Sequence, residues 1–385
     1  MTRETSSTDA LPRRAIGRSV RAIARARTLN RGPMIVLGSV ALGLAVGALL
    51  LRLAGHDPVA SYAAMVRGAV GSRFAIGETL VRAAPLAAIG VGVSIALRAG
   101  VFTIGSEGQL VMGAVGATLA ALWLREGPPF LTISGAFVAA AVFGALWASL
   151  PAVLRARFEV NEILSTLLFN YFAAYLLGYL LREPLKPPSS PISQSEVLPP
   201  AALLPSLLPG TRLHVGVLVA IAAAGAFALW VRSVPGFRVD LFGQNSTLAR
   251  HVGVSPTWTI VGVMLVAGLL SGVAGWSQVA GLHRRLYVEV ASGVGYLGVL
   301  VAVLGGLRPL GVIAASLLMA ALQAGGVFME QTAHIPATLS DVVQALILLS
   351  FAARLGPRLW RPRASAGAEI AAEESAVAGA PTRGT

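Results

Sequence analysis

Arg98-Ala-Gly-Val-Phe-Thr-Ile-Gly-Ser-Glu-Gly-Gln-Leu110 lies between two apolar runs and decides how the rest of the chain is read. It carries glycines at 100, 105 and 108 and two long polar side chains, Glu107 and Gln109. Glycine permits sharp bends and close backbone approach. A carboxylate inside an apolar segment is costly and marks a functional site by default. Irregular backbone at membrane depth must face protein or water, because lipid offers no hydrogen bonds. The stretch is therefore either a broken or re-entrant helix, or a short loop whose Glu107 reaches the interface.

The chain around this stretch is apolar. Of 385 residues, 55% are hydrophobic and 12% charged, with mean hydropathy +0.74, whereas a soluble domain carries about 25% charged residues. The fold class expected is an all-α polytopic membrane protein. Cysteine is absent, which excludes disulfides, thiolate nucleophiles and Cys metal sites. The single lysine, Lys186, sits in a Pro-rich loop. No Gly-rich loop ending in Lys and Ser or Thr is present to hold a nucleotide phosphate, so any ATP hydrolysis belongs to another chain. The polar, Arg-rich N-terminus has no short apolar core followed by a cleavage site, and no cleavable signal peptide is expected.

Ten apolar segments are expected, at about 33–53, 83–97, 110–124, 130–154, 163–181, 213–231, 258–280, 299–307, 310–328 and 339–353. Each full-length span needs about twenty residues; the eighth is half-length and is broken by Arg308-Pro309. Residues 1–32 form a basic arm and 354–385 a tail of disordered composition, flanking a transmembrane domain at 33–353. Residues 56–82 read as an amphipathic helix along the outer surface. Glycines at 113 and 116, and at 268, 272 and 275, have the spacing of close helix packing. Trp258, Trp276 and Trp360 fall near span ends, as interface anchors do. Asp341 opens segment ten, where a carboxylate favours the helix dipole.

Ten spans put both termini on one side. With that side cytoplasmic, arginine is distributed about two to one in its favour, as the positive-inside rule requires. This accounts for the net charge of +13 through orientation and contact with anionic lipid, with no nucleic-acid partner. The longest cytoplasmic connection, 232–257, carries Arg232, Arg238, Asp240, Arg250 and His251. Within it Asn245 or Ser246 can start a helix and Gly253 can end it. This predicts a surface helix of about two turns, read either as a docking element for a soluble partner or as an incidental turn in a solvated loop.

Five stretches together resemble a known family. Residues 98–109 are similar to the "RAGxFNIGxEGQ" signature of permease subunits of bacterial ABC importers for nucleosides, relatives of the ribose-type and branched-chain amino-acid permeases. Phe158-Glu-Val-Asn-Glu162 with Leu167-Leu-Phe-Asn-Tyr171 resembles "NExxxTLMLNY". Gly243-Gln-Asn245 with Ala249-Arg-His-Val-Gly253 resembles "GxNxxAAxxxGI". Ser271-Gly-Val-Ala-Gly275 with Gly281 resembles "SGxxAGLxGxxxxxG". Gly293-Val-Gly-Tyr-Leu-Gly298 with Val301-Ala-Val-Leu-Gly305 resembles "GxGFxGIAVALLG". Thr103 stands where the family commonly has Asn, and Leu297 where it has Asp or Thr. The glycine motif of the ribose branch and the His-containing stretch of the amino-acid branch are absent.

The resemblance implies a transport subunit with no catalytic residues and no cofactor or metal of its own. It implies a multi-pass protein of the bacterial plasma membrane. Its expected partners are a cytoplasmic ABC ATPase, a second homologous permease forming a heterodimer, an extracytoplasmic substrate-binding lipoprotein and membrane lipid. The substrate expected is a nucleoside or, alternatively, a simple sugar. Glu107, Gln109, Asn170 and Gln278 are candidates for the pathway, since carboxylates and amides can hydrogen-bond hydroxyls and base edges. The alternative role for each is fixing helices to one another. Asn245, Ala249, Arg250, His251 and Gly253 form the candidate ATPase-coupling helix, with Arg157 and Glu162 in a second cytoplasmic contact. Gly100, Gly105, Gly108, Gly293, Gly295 and Gly298 are the helix-break glycines. An ion-coupled transporter would need several mid-span titratable groups, and only Glu107 qualifies. A membrane enzyme would need clustered His and carboxylates. The five histidines, at 56, 214, 251, 283 and 334, do not cluster by spacing.

Overall fold

A computed structural model describes residues 32–188 and 190–333, with residues 338, 341, 342, 345 and 346 beyond them. The basic arm before residue 32, most of segment ten and the 354–385 tail with Trp360 lie outside the described residues. The chain divides into a unit from Leu44 to Leu346 and a second unit that includes residues 32–43; the helix crossings and the site lie in the first.

The regular elements among the described residues are helices, with two isolated bridges and no strand. In chain order they are α1 (Gly32–Leu53), α2 (Pro58–Val70), α3 (Arg73–Arg98), α4 (Ser106–Trp123), α5 (Pro129–Phe158), α6 (Glu162–Leu180), α7 (Gly216–Trp230), α8 (Val234–Gln244), α9 (Ser246–His251), α10 (Pro256–Trp276), α11 (Val294–Leu304) and α12 (Pro309–Ala333). Among them, α3, α5, α6, α10 with its extension to His283, and α12 are long and apolar enough to cross a membrane; α7 and α8, bent by 74°, together make a sixth candidate.

Local chemistry sets the ends. Asp57 caps α2 by accepting from the Val59 N–H at 3.0 Å, and Ser72 caps α3 by accepting from Ala75. Asn161 caps α6 through Ile163 and Leu164. Such caps satisfy donors that the first turn leaves free. Proline opens α2, α5, α8, α10 and α12 near their first positions, where its missing N–H costs nothing.

The core is built from close crossings of α10 with α5 and α4. Gly272 packs against the backbone of Ala140 and Gly144 on α5, and Gly113 on α4 packs against Gly272. A methyl group at these points would overlap backbone, so the glycines set the interhelical distance by dispersion packing. Around them Leu110, Ala114, Ala140, Val273 and Trp276 form one buried cluster.

The structure redraws several sequence boundaries. The 56–82 stretch is two elements, α2 and the first turns of α3. Segment two therefore has 26 residues and starts at Arg73. It accommodates Glu78, 8% exposed, because Arg212 donates to both of its carboxylate oxygens at 2.7 Å. Trp276 is not an interface anchor: it is 3% exposed and meets Phe137 edge-on at 5.2 Å. Trp258 is 77% exposed. Segment eight is α11, 11 residues long. At 1.5 Å per residue it spans about 16 Å, half of a bilayer core.

Candidate functional site

The 98–110 stretch is a helix break, with α3 ending at Arg98 and α4 starting at Ser106. Gly100 has φ +76, a left-handed conformation that glycine adopts without a Cβ penalty. The chain then runs irregularly to Gly105, the residue before α4.

Three side chains fasten this break. Asn170 on α6 accepts from the Gly108 N–H at 2.9 Å and donates to the Ile104 carbonyl at 3.0 Å and the Tyr296 hydroxyl at 3.3 Å. Thr166, one turn earlier on α6, accepts from the Ile104 N–H at 3.3 Å. Thr103 accepts from the Gly105 N–H at 3.3 Å. Backbone groups that a helix would have satisfied internally are thus satisfied by side chains, most of them from another helix.

Glu107 reaches a third element. Its Oε1 accepts from the Gly293 N–H and its Oε2 from the Gly295 N–H, both at 2.7 Å. Gly293 precedes α11 with φ +80, and these are the free donors at a helix start, where the dipole favours an anion. Gly295 lies against the Glu107 backbone, with no room for a side chain. The carboxylate is therefore an N-terminal cap for a half-helix supplied from elsewhere in the chain.

Arg98 holds the other end of α11. Its Nη1 donates to the Leu307 carbonyl at 3.2 Å, just past the helix end. Its Nε donates to Asp240 Oδ1 at 2.8 Å, and Nη2 to Oδ2 of the same carboxylate on α8.

Of the sequence-predicted pathway residues, Glu107, Gln109 and Asn170 gather at the break. Gln109 is 1% exposed, and its Oε1 has no hydrogen-bond partner; neither has the buried hydroxyl of Ser106. Gln278 is buried on a different element, the π turn Ser277–His283 that extends α10. Gly298 sits against Ile89 of α3, and Gly108 against the Asn170 backbone. Tyr296 and Thr166 belong to this constellation without having stood out in the sequence, and Asp240 stood out only as one of the charges of the 232–257 connection.

The 232–257 connection contains two helices, where one was expected. Asn245 ends α8 and caps α9, accepting from the Leu248 N–H at 2.9 Å, and Gly253 follows with φ +83. Ala249 is fully buried, while Arg250, His251, Leu248 and Val252 are exposed. On the α5–α6 connection, Arg155 pairs with Glu162 at 3.0 Å and Arg157 is exposed.

Residues 75–352 match the protein family described as branched-chain amino acid transport system / permease component. Three relatives are similar over most of their length. The glucose ABC transporter permease protein TsgB13 of Haloferax volcanii is 36% identical over 322 residues, 81% of this chain and 84% of that protein. The guanosine ABC transporter permease protein NupP of Bacillus subtilis is 32% identical, covering 82% and 92%. The nucleoside ABC transporter permease protein NupB of Lactococcus lactis is 28% identical, covering 88% and 95%.

Proposed function

Because the chain belongs to the permease-component family of the branched-chain amino acid transport systems, and is thus a membrane transport subunit and not an enzyme, we propose that it moves an uncharged, hydroxyl-rich solute inward, a nucleoside foremost. The observation that carries the substrate class is the Glu107 cap on α11. A half-helix N-terminus at membrane depth is a natural seat for an anionic substrate group. Here the chain's own carboxylate occupies it. An amino-acid or phosphate substrate would bring its negative charge against Glu107, whereas a neutral nucleoside or sugar would not. Asn170, Gln109, Gln278 and the rim of Glu107 are the polar groups we assign to the pathway.

The rest of the assembly is proposed on the family and on α9. The exposed Leu248, Arg250, His251 and Val252 give a soluble ATPase a mixed apolar and cationic surface, with Ala249 anchoring the helix beneath. Arg157 and Glu162 supply the second contact. A heterodimeric partner permease and an external binding lipoprotein complete the importer in the bacterial plasma membrane. A second reading, a sugar permease for glucose or ribose, is favoured by the similarity to the Haloferax protein.

The test is reconstitution of the chain with its ATPase, partner permease and binding lipoprotein in liposomes. ATP-driven uptake of nucleosides or neutral sugars supports the reading. Uptake driven by an ion gradient without ATP, or confined to charged solutes, refutes it.

A further inference from the structure

α11 is gripped at both ends by one stretch of chain. Glu107 binds the N–H groups of Gly293 and Gly295 at its start, where the dipole is positive. Arg98 binds the Leu307 carbonyl just past its end, where the dipole is negative. The two charged residues are nine positions apart, and α11 is about 16 Å long. The irregular segment between them, residues 99–105, joins the two grips.

The same guanidinium also holds α8. It spends Nε and Nη2 on both oxygens of Asp240, a bidentate fit that fixes orientation as well as distance. The two side chains are 17% and 19% exposed, so solvent and salt screen the pair less than a surface pair. Backbone contact reinforces it. A side chain at Gly243, in the last turn of α8, would overlap the Arg98 carbonyl, and Gly100 lies against Gly243. Two residues later Asn245 closes α8 and caps α9. A continuous chain of contacts thus runs from α9 through α8 and Asp240 to Arg98.

We propose that the Arg98–Asp240 ion pair is the mechanical link between the α8–α9 helices and the half-helix α11, and that Arg98 is a positioning residue for transport. The proposal rests on α9 being the ATPase-coupling element. Arg98 need not touch substrate. Its task is to make the C-terminal end of α11 follow α8 while Glu107 holds the N-terminal end against the break.

The assembled transporter in proteoliposomes tests this, with ATP hydrolysis and solute uptake measured in the same vesicles. Arg98→Ala and Asp240→Asn should keep ATP hydrolysis within about twofold of wild type and lower uptake at least tenfold, raising the ATP spent per molecule imported. Arg98→Lys keeps the charge but loses the fork, and uptake should fall between. Asp240→Asn is isosteric and leaves the Leu307 contact intact, so it keeps the test decisive where Arg98→Ala fails to assemble. Hydrolysis and uptake falling in parallel in Asp240→Asn, or uptake unchanged, overturns the link. A wild-type assembly that hydrolyses ATP without any uptake counts against the proposed function itself.

Discussion

The Glu107 carboxylate and the backbone N–H of Gly295 meet at 2.7 Å across 188 residues of sequence. With the matching bond from Gly293, this joins the helix break to the start of a half-helix. Replacing Glu107 by Gln keeps the shape but removes the charge and turns one acceptor into a donor facing an N–H. The variant should lose about 1–3 kcal/mol of stability, the range for leaving such groups unpaired, and uptake should fall with it. Thermal unfolding of the purified protein measures the first and vesicle uptake the second.

Asn170 satisfies both a donor and an acceptor of the irregular backbone and is 5% exposed. Asn170→Leu leaves the Gly108 N–H and the Ile104 carbonyl without partners, at about 1–3 kcal/mol for each. Hydrogen exchange at residues 104–108 should accelerate in this variant, with exchange in the α5–α10 crossing unchanged.

Much of this was legible in the sequence, for identifiable reasons. The apolar runs located most helices. Asn245 and Gly253 marked the ends of α9, because caps are local chemistry. The break at 98–110 was legible because three glycines and a carboxylate in an apolar setting leave few alternatives. What stayed hidden was every pairing. Nothing in the spacing joins Glu107 to Gly293, or Arg98 to Asp240, since long-range partners are chosen by packing. Glu78 and Arg82 made the start of α3 look like part of a surface element, and only Arg212, far along the chain, explains why a buried helix tolerates a carboxylate there.

His214 gives a pH dependence. It is 3% exposed, lies in the loop before α7 and accepts the Gly216 N–H at Nδ1, 3.1 Å away. Burial lowers its pKa to about 4 from an ordinary 6.5. The unfolded chain then takes up a proton more readily than the folded one. Stability from this group is complete above about pH 6.5 and is lost as pH falls from there toward 4, by roughly 3 kcal/mol in all at 1.36 kcal/mol per unit. Thermal unfolding at pH 7 and pH 4.5 should differ in wild type, and His214→Asn, which keeps an acceptor near Nδ1, should flatten the difference.

Arg250 is exposed on α9 beside the buried Ala249. Arg250→Glu should leave stability within about 0.5 kcal/mol, as surface substitutions do, and weaken association with the ATPase at least tenfold. Affinity capture of the ATPase on immobilised permease reads this. Unchanged affinity would remove α9 from the interface.

The role proposed for Glu107 is that, by occupying the N-terminus of α11, it tunes the pathway to uncharged solutes. Competition against ATP-driven uptake of radiolabelled guanosine in the reconstituted assembly tests it most directly. Unlabelled uncharged nucleosides, or glucose under the sugar reading, should suppress the signal, while guanosine monophosphate and leucine should leave it unchanged. Efficient competition by leucine or the nucleotide, accompanied by their own ATP-driven uptake, would rule out this role for Glu107.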